Sequence, residues 1–208
     1  MSDRKLSVDR KTERTGEEKI ADRKTKMTTK TQPRKSGAIL IGSENVKRIG
    51  AATKSKFILD SNVSFVVAKS ENAMKTISAA MIKSKAQEID IVLHTGADQL
   101  RGKTADFILE SIANQITHVK QKRKTNQVFV CSVEQRQDAG VLAFETAKTV
   151  NQELVNLCSE YGAKYLDLRP RMSECRFSGM NKTGRLYTFE ATRNISDEIL
   201  SEVPGFLD

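Results

Sequence analysis

Five short apolar runs punctuate the chain from Gly37 onward: 38–41 (AILI), 63–68 (VSFVVA), 89–93 (IDIVL), 127–131 (QVFVC) and 163–168 (AKYLDL). Each has strand length and is mostly aliphatic or aromatic, the pattern of strands buried on both faces. Between the runs, apolar residues recur at helical spacing. Met74, Ile77 and Met81 form one stripe; Ile108, Ile112, Ile116 and Val119 form a second. Ala143, Ala147, Val150, Leu154, Leu157 and Tyr161 make a longer third, and Ala191, Ile195 and Ile199 a last. These stripes are core faces rather than ligand boxes. The alternation predicts a three-layer α/β sandwich: a five-stranded, mostly parallel sheet of flavodoxin-like type with helices on both faces. Right-handed crossovers then bring all five strand carboxyl ends to one edge, the edge at which open α/β sheets bind ligands. The loops to inspect are therefore 42–46, 68–73, 94–103, 131–140 and 169–187.

Charge changes the picture at the amino terminus. Residues 1–36 hold 12 Lys/Arg against 6 Asp/Glu, whereas residues 37–208 hold 23 against 20, within a formal net charge of +9. The first segment has no aromatic residue and only scattered Leu6, Val8 and Ile20. Such a segment buries too little to offset its chain entropy, so 1–36 is expected to be a disordered basic tail and 37–208 a single domain. The three cysteines (Cys131, Cys158 and Cys175) lack metal-ligand spacing and are expected to be free thiols in a reducing compartment. No apolar run is long enough to span a membrane, and the charged amino terminus is read as lacking a secretory signal. The expected location is intracellular, cytoplasmic or nuclear, with no membrane association.

The strand-end loops carry a resemblance. "ILIGSENVKRI" (39–49), "VVAKSENAM" (66–74), "IVLHTGADQL" (91–100), "VFVCSVEQR" (128–136) and "TGRLYTFEA" (183–191) resemble, in order, blocks of the SGNH, or GDSL-type, hydrolases. More narrowly they are similar to the short SGNH-like domains encoded by invertebrate mobile elements, as is "VNQELVNLCSEYGAKYLDL" (150–168). The resemblance covers about residues 37–206. It implies a serine nucleophile in Gly-Asp-Ser, a glycine amide and an asparagine side chain donating to the oxyanion, and a histidine base in Asp-x-x-His. That set follows from the chemistry: serine needs a base to take its proton, and the oxyanion needs preplaced donors.

Laid onto this chain, the resemblance fails at each functional position. Ser43 stands where the aspartate of Gly-Asp-Ser belongs and Glu44 where the nucleophile belongs. The glycine falls on or beside Glu71, and the asparagine donor is Asp98, which only accepts while ionised. Thr183 replaces the orienting aspartate and Leu186 the base. An alignment through Gly179-Met180-Asn181 finds no histidine either; the two in the chain are His94 and His118. No catalytic residue is therefore expected. The runner-up is a weak esterase in which Ser43 is the nucleophile and His94 contacts it across neighbouring strand ends. Glu44, Glu71 and Asp98 near His94 also resemble a hard-cation set, but they are read as loop residues left by a lost site, with no metal and no cofactor.

Charge suggests a different role. Lys47, Arg48, Arg101, Lys103, Arg169, Arg171, Arg176, Lys182 and Arg185 lie in the strand-end loops, and Glu174 is the only acid within 169–185. With Phe177 and Tyr187 as stacking groups, this forms a basic rim for RNA or other single-stranded nucleic acid. Lys120, Lys122, Arg123 and Lys124 precede the fourth strand and belong to the opposite edge. Some SGNH-fold domains without the hydrolase residues bind RNA, which the resemblance offers by analogy. The expectation is a catalytically inactive SGNH-like domain acting as a nucleic-acid-associated or protein-interaction module, derived from a mobile-element protein.

Overall fold

The computed structural model describes residues 36–56, 59, 62–122, 124–175 and 179–206. The expected tail, apart from Ser36, lies outside the described residues, as do Arg176 and Phe177. Ser36 itself opens the first strand rather than closing the tail.

The five apolar runs are the five strands: β1 (Ser36–Gly42), β2 (Val63–Val67), β3 (Glu88–His94), β4 (Thr125–Cys131) and β5 (Lys164–Leu166). They form one wholly parallel sheet in the order β2-β1-β3-β4-β5. The helices are α1 (Glu44–Lys56), α2 (Ala73–Lys83), α3 (Ala105–Lys120), α4 (Val141–Glu160), α5 (Arg169–Ser173) and α6 (Phe189–Glu202). Among the described residues no helix is long and apolar enough to cross a membrane.

Alternation along each strand divides the core. Ile39, Ile41, Ile91, Leu93 and Val130 face α2, α3 and α4 through Ile77, Ile108, Ile112, Val150 and Leu154. Ala38, Leu40, Val92, Phe129 and Cys131 face α1 and α6 through Val46, Ile49, Ala191, Ile195 and Ile199. On α2 the buried stripe is Ala73, Ile77 and Met81, so the expected Met74 is displaced outward and is 36% exposed. Asp90, a charge inside an otherwise apolar strand, is buried at the far edge of the sheet. It accepts from Asn126 Nδ2 (2.9 Å) and the backbone amides of Gln127 (3.1 Å) and Gly205 (2.9 Å), tying the carboxyl-terminal turn to the sheet.

Two details position the strand ends. Gly42 lies so close to β3 that a Cβ would collide with the His94 carbonyl. Past β4, Asn151 of α4 clamps the chain: its Oδ1 accepts from Val133 N (2.7 Å) and its Nδ2 donates to Val133 O (2.9 Å). That clamp fixes the next residue, Glu134, at the edge of the sheet.

Candidate active site

A cavity of about 230 Å³ opens at the carboxyl ends of β1, β2, β3 and β4. Ser43, Glu44, Asp98, Arg185 and Leu186 line it, together with Val67, Ala68, Lys69, Glu134 and Arg136. Glu44 and Leu186, the positions expected for nucleophile and base, thus share one cavity although they are far apart in the chain. Their chemistry is of another kind. Glu44 is exposed and pairs with Arg185 (Oε2 to Nη2, 3.2 Å). Leu186 has no titratable group.

The remaining expected positions are also committed. Asp98 accepts from Ser70 N (2.9 Å) and Ser70 Oγ (2.5 Å), and Ser70 Oγ in turn accepts from Gly96 N (3.0 Å). The aspartate therefore joins the β3–α3 loop to the 3-10 turn at Ser70–Asn72. Glu71 is exposed on that turn, and the cavity wall there is made by Ala68 and Lys69. Thr183 is exposed and donates to Asn181 Oδ1 (2.8 Å), which also accepts from the amides of Arg185 and Leu186 and so shapes their loop.

At the centre stands a residue to which the sequence assigned no role. Glu134 is 4% exposed and receives three side chains. Asn45 Nδ2 donates to Oε2 (2.8 Å), His94 Nδ1 lies 3.3 Å from Oε1, and Ser43 Oγ donates to Oε1 (3.4 Å). His94 Nε2 is 2.9 Å from the Tyr187 hydroxyl, and Tyr187 N donates to Asn45 Oδ1 (2.9 Å). His94 thus stands between the carboxylate and the phenol, with the direction of its bond to Tyr187 set by the imidazole tautomer. A buried carboxylate is tolerable on these terms, because its lost hydration is replaced by fixed donors.

This arrangement alters two expectations. Ser43 hydrogen-bonds Glu134 rather than His94, because the carboxylate occupies the space between them and His94 turns its far nitrogen to Tyr187. Tyr187 is 1% exposed, which corrects its role as a stacking platform: no base reaches its ring. Burial first, and the Glu134 charge second, push its phenol well above the usual range.

The basic rim is present but largely paired. Arg101 bonds Asp138, Arg169 bonds Asp167, and Arg171 bonds Glu198 and Glu174. Arg48 donates to the Tyr187 carbonyl (2.8 Å), and the Lys103 ammonium sits 4.4 Å from the Phe107 ring centre. Lys47 and Lys182 are exposed. His118 is remote, on α3 beside Ser78 (2.9 Å), and burial followed by nearby Lys122 lowers its pKa. Among the described residues no three His, Cys, Asp or Glu side chains are grouped so as to hold a metal ion.

A five-stranded parallel sheet flanked by helices, as here, is the fold of SGNH, or GDSL-type, lipolytic hydrolases. Solved structures agree. A lipolytic protein of the G-D-S-L family from Veillonella parvula aligns over 80% of this chain and 97% of its own, with TM-score 0.64 and 12% identity. A GDSL-like lipase from Bacteroides thetaiotaomicron covers 88% and 95% (TM-score 0.61, 11% identity). A psychrotrophic esterase from Pseudoalteromonas covers 79% and 95% (TM-score 0.56, 12% identity). At these identities the likeness is one of fold. No family model matches the sequence, and no curated protein matches it either.

Proposed function

We propose that this chain is a catalytically silent acyl-hydrolase-type domain, derived from a mobile-element protein, that works by binding a partner. The observation that carries the reading is the hydrogen-bond assignment at Glu134. Among the described residues, the histidine near the cavity, His94, hydrogen-bonds Tyr187 and lies 3.3 Å from Glu134, and the serine, Ser43, faces that same carboxylate, which already accepts from Asn45. Glu44 and Leu186 at the nucleophile and base positions add to it.

Between the two kinds of partner, pairing of the rim arginines weakens the local attraction for a polyanion. Exposed apolar side chains at the same edge (Val67, Phe107, Val141, Leu142 and Phe189) favour a protein surface. RNA remains the competing partner through Lys47, Lys103 and Lys182. Titrating labelled single-stranded RNA at two salt concentrations decides it, since phosphate contacts must weaken steeply with salt.

A second reading has one specific support. Ser43 borders the cavity and donates to Glu134, so a carboxylate could take its proton and make a weak esterase. Turnover of p-nitrophenyl acetate that disappears in Ser43→Ala would overturn the silent-domain reading. Equal background rates for the two proteins support it.

A further inference from the structure

The edge of the sheet opposite the first cavity is also basic, and its charges are differently placed. The connections that end on it, 83–88, 120–125 and 160–164, carry seven Lys/Arg against two Asp/Glu. At the carboxyl edge the arginines meet carboxylates; here the ammoniums meet neutral groups. Lys120 Nζ donates to the carbonyls of Tyr161 (2.9 Å) and Gly162 (3.3 Å), and Lys124 Nζ to that of Ser84 (3.0 Å). Lys164 Nζ lies 5.4 Å from the Phe129 ring centre. A carbonyl orients an ammonium without neutralising it, and with three N–H donors apiece these lysines keep at least one to spare. The macrodipoles of α2 and α3 account for Lys83 and Lys120, in their last turns. They do not account for Lys122, Lys124 and Lys164, which lie outside both helices.

Two concavities flank these lysines. One, of about 250 Å³, is lined by Lys120, Lys164, Asn126, Gln127 and Gly162. The other, of about 200 Å³, is lined by Met81, Ile82, Lys122 and Lys124. Among the described residues neither wall contains a carboxylate. Gln127 narrows the class of ligand, because its Oε1 is buried with no hydrogen-bond partner among the described residues. A simple polyanion would satisfy the lysines and leave that acceptor unpaired, a costly outcome. A nucleotide brings both complements, a phosphate for the ammoniums and base N–H groups for the carboxamide. The bases must be unpaired to present that edge, which favours a single strand over a duplex. A lipid surface would need apolar side chains to insert, and Ile82 is the one exposed large apolar side chain in these walls. The amino-terminal segment adds charge at the same place. Ser36 pairs with Glu88 at this edge, so residues 1–35, with 12 Lys/Arg against 6 Asp/Glu, join the domain there.

We propose that the amino edge of the sheet binds single-stranded nucleic acid, with phosphates on Lys120, Lys122, Lys124 and Lys164 and a base edge at Gln127. The site is separate from the partner surface of the carboxyl edge and from any turnover at Ser43. The test uses the full chain and fluorescently labelled single-stranded RNA, with affinity read by anisotropy over a range of salt concentrations. Each ammonium lost from a phosphate lowers the salt slope by about 0.7. Lys122→Gln/Lys164→Gln, which spares the two lysines that bond carbonyls, is therefore expected to lower it by about 1.4. Unlabelled polyphosphate of equal charge is expected to compete on the order of tenfold more weakly than unlabelled RNA. Gln127→Met removes the acceptor and keeps the length, and is expected to narrow that margin about fivefold with the slope unchanged. No binding near physiological salt would overturn the proposal and leave the protein-partner reading of the carboxyl edge standing. A slope that falls in Lys47→Gln/Lys103→Gln/Lys182→Gln instead would return the RNA to the carboxyl edge and overturn it equally. So would equal competition by polyphosphate, a margin unchanged in Gln127→Met, or tighter binding to phosphatidylserine vesicles than to RNA.

Discussion

Removing the Glu134 carboxylate tests whether the polar centre of this domain is structural. In Glu134→Ala, Asn45 Nδ2 loses its acceptor and His94 loses the carboxylate 3.3 Å from its Nδ1 while 1% and 3% exposed, and Ser43, at the cavity wall, can turn to solvent. Each buried donor left unpaired costs about 1–3 kcal/mol, partly offset because a buried charge is no longer desolvated. A net loss of roughly 2–4 kcal/mol follows, which for a domain of this size lowers Tm by about 4–16 °C. Glu134→Gln keeps the shape and one acceptor oxygen but points an amide donor at a site of donors, so its loss is expected to fall between wild type and alanine. Urea titration followed by far-ultraviolet circular dichroism measures these differences as shifts in midpoint at constant slope. The control is Glu44→Ala, which removes only an exposed ion pair and is expected to stay within about 0.5 kcal/mol of wild type. If Glu134→Ala matches Glu44→Ala, the hydrogen-bonded centre contributes nothing and the account of the site is wrong.

Gly42→Ala is expected to destabilise by about 3 kcal/mol or more, because the added methyl meets the His94 carbonyl of a neighbouring strand and must push β1 from β3; thermal unfolding reads it. The buried thiols are expected to resist alkylation in the native state. Burial pushes Cys158 up to about 11 and raises Cys131 and Cys175, so iodoacetamide at pH 8 should label all three only after unfolding. Hydrogen bonds from Arg136 hold the Asp138 carboxyl below its ordinary 3.8. Its contribution is therefore complete above pH 3.8 and is lost as pH falls through the lower folded-state value. The stability advantage of wild type over Asp138→Asn should be constant near neutrality and close in acid; a gap unchanged down to pH 2 would contradict the pairing.

The sheet was legible because its signals are local. Aliphatic and aromatic runs of strand length name β1 to β5 without reference to anything distant, and the crossover rule then supplies the edge on which the cavity lies. Local signals also explain the errors. Met74 and Ala73 are both apolar at adjacent positions, and only packing against the sheet selects the smaller one. Asp90 looks anomalous inside "IDIVL" until Asn126, Gln127 and Gly205 are brought to it from 36 to 115 residues away. The arginines looked like a free basic rim because acids were counted only within 169–185, and the partners Asp167, Glu198 and Glu44 lie outside that window.

Glu134 is the instructive omission. Its partners lie 89 residues away at Asn45 and 91 at Ser43, so no spacing could disclose them. One signal was available: a carboxylate directly after the apolar run "VFVCSV", at a strand end already assigned to the ligand edge, by the same rule that singled out Asp98. The two carboxylates differ in a way only the fold reveals. Asp98 is solvated and serves a loop, whereas Glu134 is sunk beneath the cavity and gathers Ser43 from the turn after β1, Asn45 from α1 and His94 from the end of β3. Catalytic sites hold such groups incompletely paired, because their donors must be free to meet a transition state, and the fold bears the cost in stability. Where no such demand exists, the polar groups at the strand ends are free to satisfy one another. Under the proposed silent-domain reading, the gathering of Ser43, Asn45 and His94 around one buried carboxylate is the arrangement that stability alone would select.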